Sequence, residues 1–390
     1  MLSVIGQGYV GIPLALAAAS AGHDTVGIDS NSKIVASISS LHSNIEDISD
    51  AQIKTAFAEG RYRITSTYES IKESEIVVIC VPTPLDASGV PDLSFLQTAV
   101  LEVAHNLKND ALVIIESTVA PGTTRDFVAP VLDRAKVSYD LAYSPERIDP
   151  ANKNWNVKNT PKLVAGMTSS ATRLALNFYQ SFVSDVVEGS SIEVIETAKL
   201  LENSFRLINI SFINEIAEMC LKMKIDVREV IEAASTKPYG FMPFYPGAGV
   251  GGHCIPVDPS YLSWKAKEMG ARTRFIDLAN EVNHERPYYF TEKAVEMLGV
   301  IENKEILIVG VAYKPDVSDT RETPALDLIR ELRKAGAQVS WHDDLVQEWN
   351  SEKSSPLANT YDLAILVNPH SGTDLSKLGS VRILNTRGGF

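Results

Sequence analysis

Short runs of apolar residues alternate with amphipathic segments over the first half of the chain. Runs of this length, apolar on both faces, are typical of strands buried in a parallel sheet. Such runs are the start of "LSVIGQGYVG", then "DTVGID", "EIVVICVP", "ALVIIES" and "YDLAYSPE". Helical segments such as 92–107 separate them, so the pattern predicts a parallel, doubly wound sheet over about residues 1–185.

The pattern changes over residues 190–235, where apolar residues recur at helical spacing and neither Gly nor Pro interrupts the run. This spacing predicts one long helix or two helices in succession. Such a helical middle commonly joins two domains and can also form a dimer interface, and the pattern itself favours neither. Two further helices are predicted after a loop, over 259–270 and 275–298.

A second strand and helix alternation starts at "KEILIVGVAYK" (304–314) and continues to the end of the sequence. Its helix is "PALDLIRELRKAG", and its later strands are "AQVSWHD", "YDLAILV" and "VRILNTRG". We therefore predict an α/β protein with two Rossmann-like doubly wound domains joined by a central helical region. The predicted domains are 1–185, 186–298 and 299–390.

Charge and composition narrow the possible partners. Acidic residues exceed basic ones by 49 to 36, so the surface lacks the broad positive field that binds nucleic acid. A local anion-binding pocket is still compatible with this charge. The apolar amino terminus lacks the positive segment of a signal peptide, and no apolar run is long enough to cross a bilayer. Three widely spaced cysteines form neither a CxxC pair nor a disulfide pattern, which favours the cytoplasm. We predict neither a membrane partner nor a metal site.

The segment "GQGYVG" joins the first predicted strand to the first helix and carries Gly6, Gly8 and Gly11 in the spacing GxGxxG. In such a turn the first glycine permits the tight bend, the second lets the backbone approach a pyrophosphate, and the third lets the helix pack on the strand. Asp29 ends the next strand, where a carboxylate accepts hydrogen bonds from ribose hydroxyls. The pattern predicts a dinucleotide site, and the charge of Asp29, with no arginine after it, favours NAD over NADP.

Other polar residues follow the predicted strands. Thr83 and Thr118 lie in loops that border the cofactor crevice of a doubly wound sheet, where they either meet the cofactor or have turn roles. Glu146 and Arg147 of "YSPER" follow another strand. A partly desolvated glutamate there can activate water, and the alternative is a solvated surface pair.

Three polar residues of the long helical segment, Lys199, Asn203 and Arg206, are spaced i, i+4 and i+7 and so share one face. A lysine, an amide and an arginine together can hold an oxyanion and a phosphate or sugar hydroxyl. The alternative is a polar stripe that faces solvent.

Cys254 differs from Cys80 and Cys220, which both lie in apolar patterns and are predicted to be core residues. It stands in "GVGGHCIPVDP", where Asp258 and Pro259 form a plausible N-cap and first helical residue. A thiolate is stabilised near a helix amino terminus, and the glycines let a substrate come close. The alternatives are a buried thiol and an aspartate that only caps the helix.

A dinucleotide site combined with a nucleophilic cysteine favours oxidation beyond the aldehyde. Loss of one hydride converts an alcohol to an aldehyde, which a thiolate captures as a thiohemiacetal. Loss of a second hydride gives a thioester that water can hydrolyse. One site can then carry out a four-electron oxidation.

The whole sequence resembles the UDP-glucose/GDP-mannose dehydrogenases, which oxidise the C6 alcohol of a nucleotide sugar to a carboxylate with two NAD. The motifs that carry the resemblance span nearly the whole chain in the family's order: "GQGYVG", "VPTP", "STVAPGTT", "SPER", "ETAKLLENSFR", "PGAGVGGHCIPVDP" and "AYKPDVSDTRETP". The resemblance implies a cytoplasmic homodimer joined through the central helices and a role in forming polysaccharide precursors.

The resemblance also implies roles for individual residues. It makes Cys254 the nucleophile, has Lys199 and Asn203 hold the reacting oxygen, and gives proton transfer to Asp258. Glu146 assists thioester hydrolysis, and Thr118 lines the nicotinamide end. The implied cofactor residues are Gly6, Gly8, Tyr9, Val10, Gly11, Asp29, Lys33, Thr83, Thr118 and Arg321. The implied substrate residues are Glu146, Arg147, Lys199, Asn203, Arg206, Phe244, Tyr245, Gly251 and Lys314.

One departure from the UDP-glucose branch concerns the substrate. That branch usually has a lysine just before the aspartate of the cysteine loop, whereas this chain has Val257, and His253 precedes the cysteine. Together with "KPYGFMPFYPG", this resembles the N-acetylhexosamine branch and implies UDP-N-acetylglucosamine as substrate. The N-acetylmannosamine and N-acetylgalactosamine epimers and UDP-glucose stay open, because a single hydroxyl's orientation depends on pocket geometry.

Two other functions are consistent with parts of the sequence. A two-electron hydroxyacid dehydrogenase of the 6-phosphogluconate type has a similar amino-terminal half, but it needs neither Cys254 nor a second α/β domain. A silent NAD-binding redox sensor would use Cys254 as a switch, but it would not require Lys199, Asn203 and Asp258 as well.

Overall fold

The computed structural model of the chain describes residues 1–149, 152 and 154–388. The chain forms two compact units, and each has its own hydrophobic core. The first contains Met1–Glu202 and Ser260–Gly270, and the second contains Asn203–Pro259 and Ala271–Phe390. The division into three domains at residues 185 and 298 stays a prediction.

The first unit is built on a large sheet with helices on both faces. Its strands and helices up to the long central helix are β1 (Leu2–Ile5), α1 (Gly11–Ser20), β2 (Thr25–Ile28), α2 (Ser32–Ser39), α3 (Asp50–Ala58), β3 (Tyr62–Thr65), β4 (Ile76–Ile79), α4 (Ser94–Asn106), β5 (Ala111–Ile115), α5 (Ala129–Leu132), β6 (Tyr139–Tyr143), β7 (Lys162–Gly166), α6 (Ser169–Gln180) and β8 (Val186–Glu188).

The sheet has the strand order β3-β2-β1-β4-β5-β6-β7-β8. The pairings from β3 through β6 are parallel, whereas β7 runs antiparallel to β6. Alternate residues enter opposite cores: Ile5 and Val77 pack on one face, and Val4 and Val78 on the other. This confirms the doubly wound sheet predicted from continuous apolar runs, with two reversed strands, β7 and β8, that the pattern did not indicate.

The central helix α7 (Ile192–Met223) begins in the first unit and continues into the second. The elements after it are α8 (Val227–Ser235), α9 (Asp258–Glu268), α10 (Arg274–Leu298), β9 (Glu305–Val309), α11 (Pro324–Lys334), β10 (Gln338–His342), β11 (Glu348–Trp349), β12 (Glu352–Lys353), β13 (Leu363–Leu366) and β14 (Arg382–Asn385). The predicted helical segment is therefore two helices, separated at Lys224 in a left-handed conformation with φ of 57°. None of the helices in the described ranges is both long enough and apolar enough to cross a membrane.

The second unit carries a four-stranded parallel sheet of order β10-β9-β13-β14. Asp343 follows β10 and accepts hydrogen bonds from the backbone N–H groups of Val311 and Ala312, which follow β9, at 2.9 and 3.2 Å. In the first unit Asp29 follows β2 and accepts one from Gln7, which follows β1, at 2.7 Å. Both sheets therefore use a carboxylate after one strand to hold the turn after the neighbouring strand.

Candidate active site

The glycine-rich turn after β1 has the steric properties of a dinucleotide turn. A Cβ on Gly11 would lie 1.7 Å from the Gly6 carbonyl oxygen, so the third glycine is needed where helix meets strand. Gly6 has φ of +87°, and a Cβ there would lie 2.6 Å from the Cys80 carbonyl oxygen. A Cβ on Gly8 would meet nothing within 4 Å. The backbone at Gly8 therefore borders open space, as the approach of a pyrophosphate requires.

The amino terminus of α1 suits an anion. The N-cap residue, Val10, supplies no side-chain hydrogen bond to the first turn, so the backbone N–H groups there can bind a phosphate oxygen. Asp29 accepts from Gln7 N and Asn31 N at 2.7 and 2.8 Å, one on each carboxylate oxygen. Each oxygen keeps a second acceptor position, which can take a ribose hydroxyl. These residues fit an NAD molecule.

Two further residues expected at the cofactor are Tyr9, which lies within this turn, and Lys33, which lies on the helix after Asp29. The Tyr9 hydroxyl donates to the Glu46 carboxylate at 2.9 Å, and the Tyr9 side chain is partly exposed. Lys33 lies exposed in the first turn of α2, where its backbone N–H is capped by Asn31. The Lys33 ammonium group therefore faces solvent on the helix that follows Asp29.

Thr83 and Thr118 lie together. The buried Thr83 hydroxyl donates to the Thr118 carbonyl at 2.7 Å, and the Thr83 carbonyl accepts from the Tyr261 hydroxyl at 2.9 Å. Thr83 thus holds the loop that carries Thr118, whose own side chain is partly exposed. The structural role for Thr83, left open by the sequence, is present in the geometry.

Glu146 has a fixed carboxylate. Its Oε1 accepts from the backbone N–H groups of Arg147 and Ile148, both at 2.5 Å, and Lys199 Nζ donates to the Glu146 carbonyl oxygen at 2.6 Å. The predicted alternative, a solvated pair of Glu146 with Arg147, is wrong. Arg147 instead pairs with Glu202 at 2.8 Å, because the chain after β6 turns the guanidinium group toward α7.

The three polar residues predicted on α7 differ in how far their side chains are exposed to solvent. Lys199 and Asn203 are each only 6% exposed, so neither belongs to a solvated stripe. Arg206 is exposed and does not share their environment, which corrects the prediction of one common face. The buried face of the helix follows Leu200, Asn203 and Leu207, and this leaves position 206 at its edge.

Asn203 reaches the start of α9. Its amide Nδ2 donates to Asp258 Oδ2 at 2.6 Å, and both side chains are buried. Asp258 N donates in turn to the Cys254 carbonyl at 2.9 Å. Because this hydrogen bond already closes a turn from Cys254, the helix begins at Asp258 itself. The prediction of Asp258 as N-cap and Pro259 as first helical residue is therefore one position late. The Cys254 side chain is exposed, and the alternative of a buried thiol is wrong.

The glycines before Cys254 allow close packing within the second unit. A Cβ on Gly251 would lie 2.6 Å from the Glu322 carbonyl oxygen, and one on Gly252 would lie 2.8 Å from the Tyr313 ring. Gly252 N also donates to the Arg321 carbonyl at 3.0 Å. The cysteine loop therefore lies directly against the segments that carry "AYKPD" and "DTRETP".

This packing brings the charged side chains of Arg321 and Lys314 close to the cysteine loop, which carries the imidazole of His253. The Arg321 guanidinium pairs with Asp319 at 2.6 Å, and Lys314 is partly exposed. Burial lowers the pKa of His253 and nearby Arg321 lowers it further, so the imidazole next to Cys254 is neutral at pH 7. The positive charges beside this loop are therefore those of Lys314 and of Arg321, and the charge of Arg321 is paired with Asp319.

The two aromatic residues expected at the substrate differ in exposure. Phe244 packs against Phe205, with ring centroids 5.7 Å apart, and against a small core that includes Val227. Tyr245 is 56% exposed. Phe244 therefore has a packing role, whereas Tyr245 is accessible to a ligand.

Sequence reasoning missed four buried polar residues near these groups: Glu116, Lys162, Tyr179 and Glu196. Glu116 pairs with Lys162 at 2.8 Å and accepts from the Tyr179 hydroxyl at 2.5 Å. Glu196 accepts from Gly122 N and Thr124 N at 2.6 and 2.9 Å, and burial raises its pKa to about 7. Glu196 could have been found, because a carboxylate three residues before Lys199 lies on the buried face of α7.

Comparison with known proteins identifies the family. The chain matches three family models of the UDP-glucose/GDP-mannose dehydrogenases: the NAD binding domain over residues 1–183, the central domain over 193–285 and the UDP binding domain over 307–377. It is 35% identical over 356 residues to the UDP-N-acetyl-D-mannosamine dehydrogenase of Pyrococcus horikoshii, a match that covers 89% of this chain and 84% of that protein.

Two further similarities agree with this. The UDP-N-acetyl-D-glucosamine 6-dehydrogenase of Pseudomonas aeruginosa is 33% identical over 387 residues, covering 95% of this chain and 90% of that one. The solved structure of the P. horikoshii UDP-D-ManNAc dehydrogenase has a TM-score of 0.90 at 30% identity and covers 99% of this chain and 95% of that one. The hydroxyacid dehydrogenase and silent sensor alternatives are therefore set aside. The chain belongs to the UDP-glucose/GDP-mannose dehydrogenase family and is an NAD-dependent nucleotide-sugar dehydrogenase.

Proposed function

We propose that the protein oxidises the C6 hydroxyl of a UDP-N-acetylhexosamine to the carboxylate in a four-electron reaction with a covalent intermediate on Cys254. The observation that carries this proposal is an exposed Cys254 in a glycine-rich loop whose following turn leads to the buried Asn203–Asp258 pair. A two-electron dehydrogenase needs no thiol at this point. A thiol that accepts the aldehyde carbon keeps the intermediate bound for the second oxidation.

The substrate proposed first is UDP-N-acetylglucosamine. The chain's cysteine loop, "GGHCIPVDP", supports the N-acetylhexosamine class, and the Pseudomonas relative acts on the glucosamine compound. UDP-N-acetylmannosamine is the second candidate, because the Pyrococcus relative, which acts on that epimer, is as similar in sequence. The two substrates differ in the orientation of one acetamido group, so both belong in the first assay.

In the first half of the reaction, Lys199 and Asn203 hold the reacting oxygen. Lys199 Nζ uses one of its three N–H groups on the Glu146 carbonyl, so two remain for a substrate oxygen. Asp258, fixed by Asn203, assists removal of the alcohol proton through water. NAD, when bound, supplies the hydride acceptor for each of the two oxidations.

In the second half, the Cys254 thiolate adds to the aldehyde carbon, and the second oxidation converts the adduct to a thioester. The position of Cys254 just before α9 favours the thiolate, because the amino terminus of a helix stabilises negative charge. Water then adds to the thioester carbonyl, and the Glu146 carboxylate accepts the water proton. Collapse of the adduct breaks the carbon–sulfur bond and restores the Cys254 thiolate.

The remaining expected residues bind cofactor or substrate in this proposal. Gly6, Gly8, Val10 and Gly11 receive the pyrophosphate, Asp29 the ribose, Tyr9 and Lys33 the adenosine half, and Thr83 and Thr118 the nicotinamide end. Arg147, Arg206, Phe244, Tyr245, Gly251, Lys314 and Arg321 bind or shape the nucleotide-sugar site. Lys314 and Arg321 are proposed to face the negative charges of the diphosphates, since both lie beside the cysteine loop.

A homodimer is proposed from the exposed face of α7. Phe205, Phe212 and Met219 recur at seven-residue intervals along one helix face and are 45%, 57% and 50% exposed. Exposed apolar residues in a continuous stripe are typical of a protein interface. A second copy of the chain, presenting the same stripe, can cover it through a twofold axis.

The test is the number of NADH molecules formed for each nucleotide sugar consumed. UDP-N-acetylglucosamine, UDP-N-acetylmannosamine and UDP-glucose are compared with wild type and Cys254→Ala. Two NADH for each sugar, with no carboxylate product in the variant, is the expected result. One NADH for each sugar, unaffected by the substitution, would reject the covalent four-electron reaction.

A further inference from the structure

Lys162 is a buried lysine for which the proposed reaction has no role so far. It is the first residue of β7, and its side chain is 8% exposed. Its ammonium nitrogen lies 2.8 Å from Glu116 Oε1 and 3.5 Å from Glu146 Oε2. A lone buried ammonium group is strongly disfavoured, so its position depends on these two carboxylates.

The reversed direction of β7 explains how Lys162 reaches Glu146. Parallel strands place their carboxyl ends at the edge of the sheet where ligands bind, and Glu116 and Glu146 follow the carboxyl ends of β5 and β6. β7 is antiparallel to β6, with Tyr143 opposite Ala165. The same register continued past the end of β6 places Lys162, the first residue of β7, opposite Glu146.

Glu116 anchors the lysine from the buried side. Its side chain is fully buried, and it also accepts from the Tyr179 hydroxyl at 2.5 Å. Burial raises the pKa of Glu116, and Lys162 opposes that effect. Burial lowers the pKa of Lys162, but Glu116 and Glu146 outweigh it, so the lysine stays charged. The ammonium group is thus both charged and fixed in position.

The Glu146 carboxylate is held from two sides. Oε1 accepts two backbone N–H groups, from Arg147 and Ile148, and Oε2 is the oxygen that faces Lys162. The contact with Lys162 is long at 3.5 Å, so Oε2 keeps acceptor capacity for a water proton. Without the lysine, Glu116 and Glu146 would be neighbouring carboxylates that lack the cation they share, and their repulsion would oppose the present position of the Glu146 carboxylate.

We propose that Lys162 is a positioning residue for thioester hydrolysis: anchored on Glu116, it keeps the Glu146 carboxylate oriented to accept the proton of the attacking water. This rests on the proposed function. In the step concerned, the water oxygen bonds to the thioester carbon, its proton passes to Glu146 Oε2, and the carbon–sulfur bond breaks with the electron pair returning to Cys254. Both oxidations precede this step, so Lys162 is not needed for them.

The experiment follows the covalent adduct on Cys254 in Lys162→Met. Enzyme, UDP-N-acetylhexosamine and excess NAD are mixed, quenched in acid at intervals and weighed by intact-protein mass spectrometry, while NADH is recorded in the same mixing. We expect a burst of two NADH for each active site, a steady rate about 100-fold lower, and accumulation of the acyl adduct. Lys162→Arg keeps the charge and should recover part of the steady rate.

Tyr179→Phe is the matched control, because Tyr179 also contacts Glu116 but does not contact Glu146 in the described hydrogen bonds. It should not accumulate the adduct, and accumulation equal to that of Lys162→Met would overturn the specific role. If Lys162→Met does not fold, Glu116→Gln/Lys162→Met, which removes both charges of the buried pair, is measured instead. A wild-type steady rate, or a slow rate without burst and adduct, would also overturn the proposal.

The two proposals fail in different ways. If wild type releases fewer than two NADH for each sugar, the four-electron function itself is rejected. If wild type releases two and the Lys162 variants show no acyl adduct, only the role of Lys162 is rejected. If neither Lys162 variant folds while Tyr179→Phe does, the lysine is structural, and the positioning role is rejected as well.

Discussion

The Asn203 amide donates a hydrogen bond to the Asp258 carboxylate at 2.6 Å, and both side chains are buried. This contact joins α7 to the first residue of α9, four residues after Cys254. Removing the amide leaves a buried carboxylate without that donor, so Asn203→Ala is expected to lower the free energy of unfolding by about 1–3 kcal/mol.

The same substitution should affect catalysis more than binding. We expect Asn203→Ala to lower kcat by about 100-fold, with a smaller change in KM for the nucleotide sugar, because a donor to the reacting oxygen is lost. Steady-state kinetics and thermal unfolding on the same preparation measure both effects. Arg206→Ala, a change at an exposed residue of the same helix, is the stability control, and an equal loss of stability there would contradict the assignment.

Gly8 and Gly11 should respond differently to alanine. A Cβ at position 11 would lie 1.7 Å from a backbone oxygen, so Gly11→Ala is expected to destabilise the first unit severely. A Cβ at position 8 meets nothing within 4 Å, so Gly8→Ala should fold with a wild-type melting temperature. It should nevertheless lose NAD affinity by at least about tenfold, because the methyl group occupies space needed by the pyrophosphate.

Calorimetric titration with NAD and thermal unfolding distinguish the two glycine variants. Normal NAD binding by a folded Gly8→Ala would show that the pyrophosphate lies elsewhere. A stable Gly11→Ala would show that the turn can rearrange, since the contact with the Gly6 carbonyl leaves no room for a methyl group.

Glu196 should make stability depend on pH. Burial raises its pKa from the ordinary 4.5 to about 7, so the folded protein holds a proton that the unfolded chain releases. Stability from this residue is therefore greatest below pH 4.5 and decreases as the pH rises from about 4.5 to 7. In Glu196→Gln that loss is absent, and the variant should gain stability relative to wild type across this window, by about 1.4 kcal/mol for each pH unit at most.

Glu193, one turn earlier on α7, is the matched control with the opposite sign. Its hydrogen bond to Arg125, at 2.6 Å, lowers its pKa, so its contribution is present at neutral pH and is lost on acidification. Glu193→Gln should therefore be less stable than wild type by a constant amount above about pH 4.5, and the difference should shrink on acidification below that pH. Thermal unfolding at pH 5, 6, 7 and 8 tests both residues: the difference from wild type should change with pH for Glu196→Gln and stay constant for Glu193→Gln, and parallel pH profiles for the two variants would contradict the prediction.

Phe212 tests the proposed dimer. It is 57% exposed in the middle of the apolar stripe on α7, so Phe212→Glu places a charge where the second copy would pack. We expect wild type to elute with the mass of a dimer and the variant with that of a monomer in light scattering. Glu229→Lys, an exposed charge change on α8, should leave the mass unchanged, and a monomeric wild type would reject the interface.

Most of the fold could be predicted because its signals are local. Continuous apolar runs indicated the buried strands β1, β4, β5 and β6, and helical spacing indicated α7 and α8. The β11–β12 hairpin was missed, although its two turn residues, Asn350 and Ser351, both have positive φ, as a tight hairpin turn requires. Each of these two strands is only two residues long, which is too short to show a pattern of apolar residues.

Residues of the site could be predicted from the sequence where they lie within one motif, but not where residues that are distant in sequence come together in the fold. The glycines of the dinucleotide turn and Cys254 could be found because their neighbours in sequence are also their neighbours in space. Lys162 and Glu116 are 46 positions apart and adjoin only because β7 reverses direction. Arg206 was misplaced because helical spacing gives the direction of a side chain and not what packs over it, and position 206 lies at the exposed edge of the buried face that follows Leu200, Asn203 and Leu207.

The reversed strand β7 has a consequence for how this protein can vary. In a parallel strand, the residue nearest the reaction is the last one, and its identity is tied to the loop that follows it. In β7 the residue nearest the reaction is the first one, Lys162, and the antiparallel pairing with β6 fixes its position along the strand. The chain between the two strands can therefore change in length without moving Lys162, whereas a one-residue deletion inside β7 would turn its side chain to the opposite face.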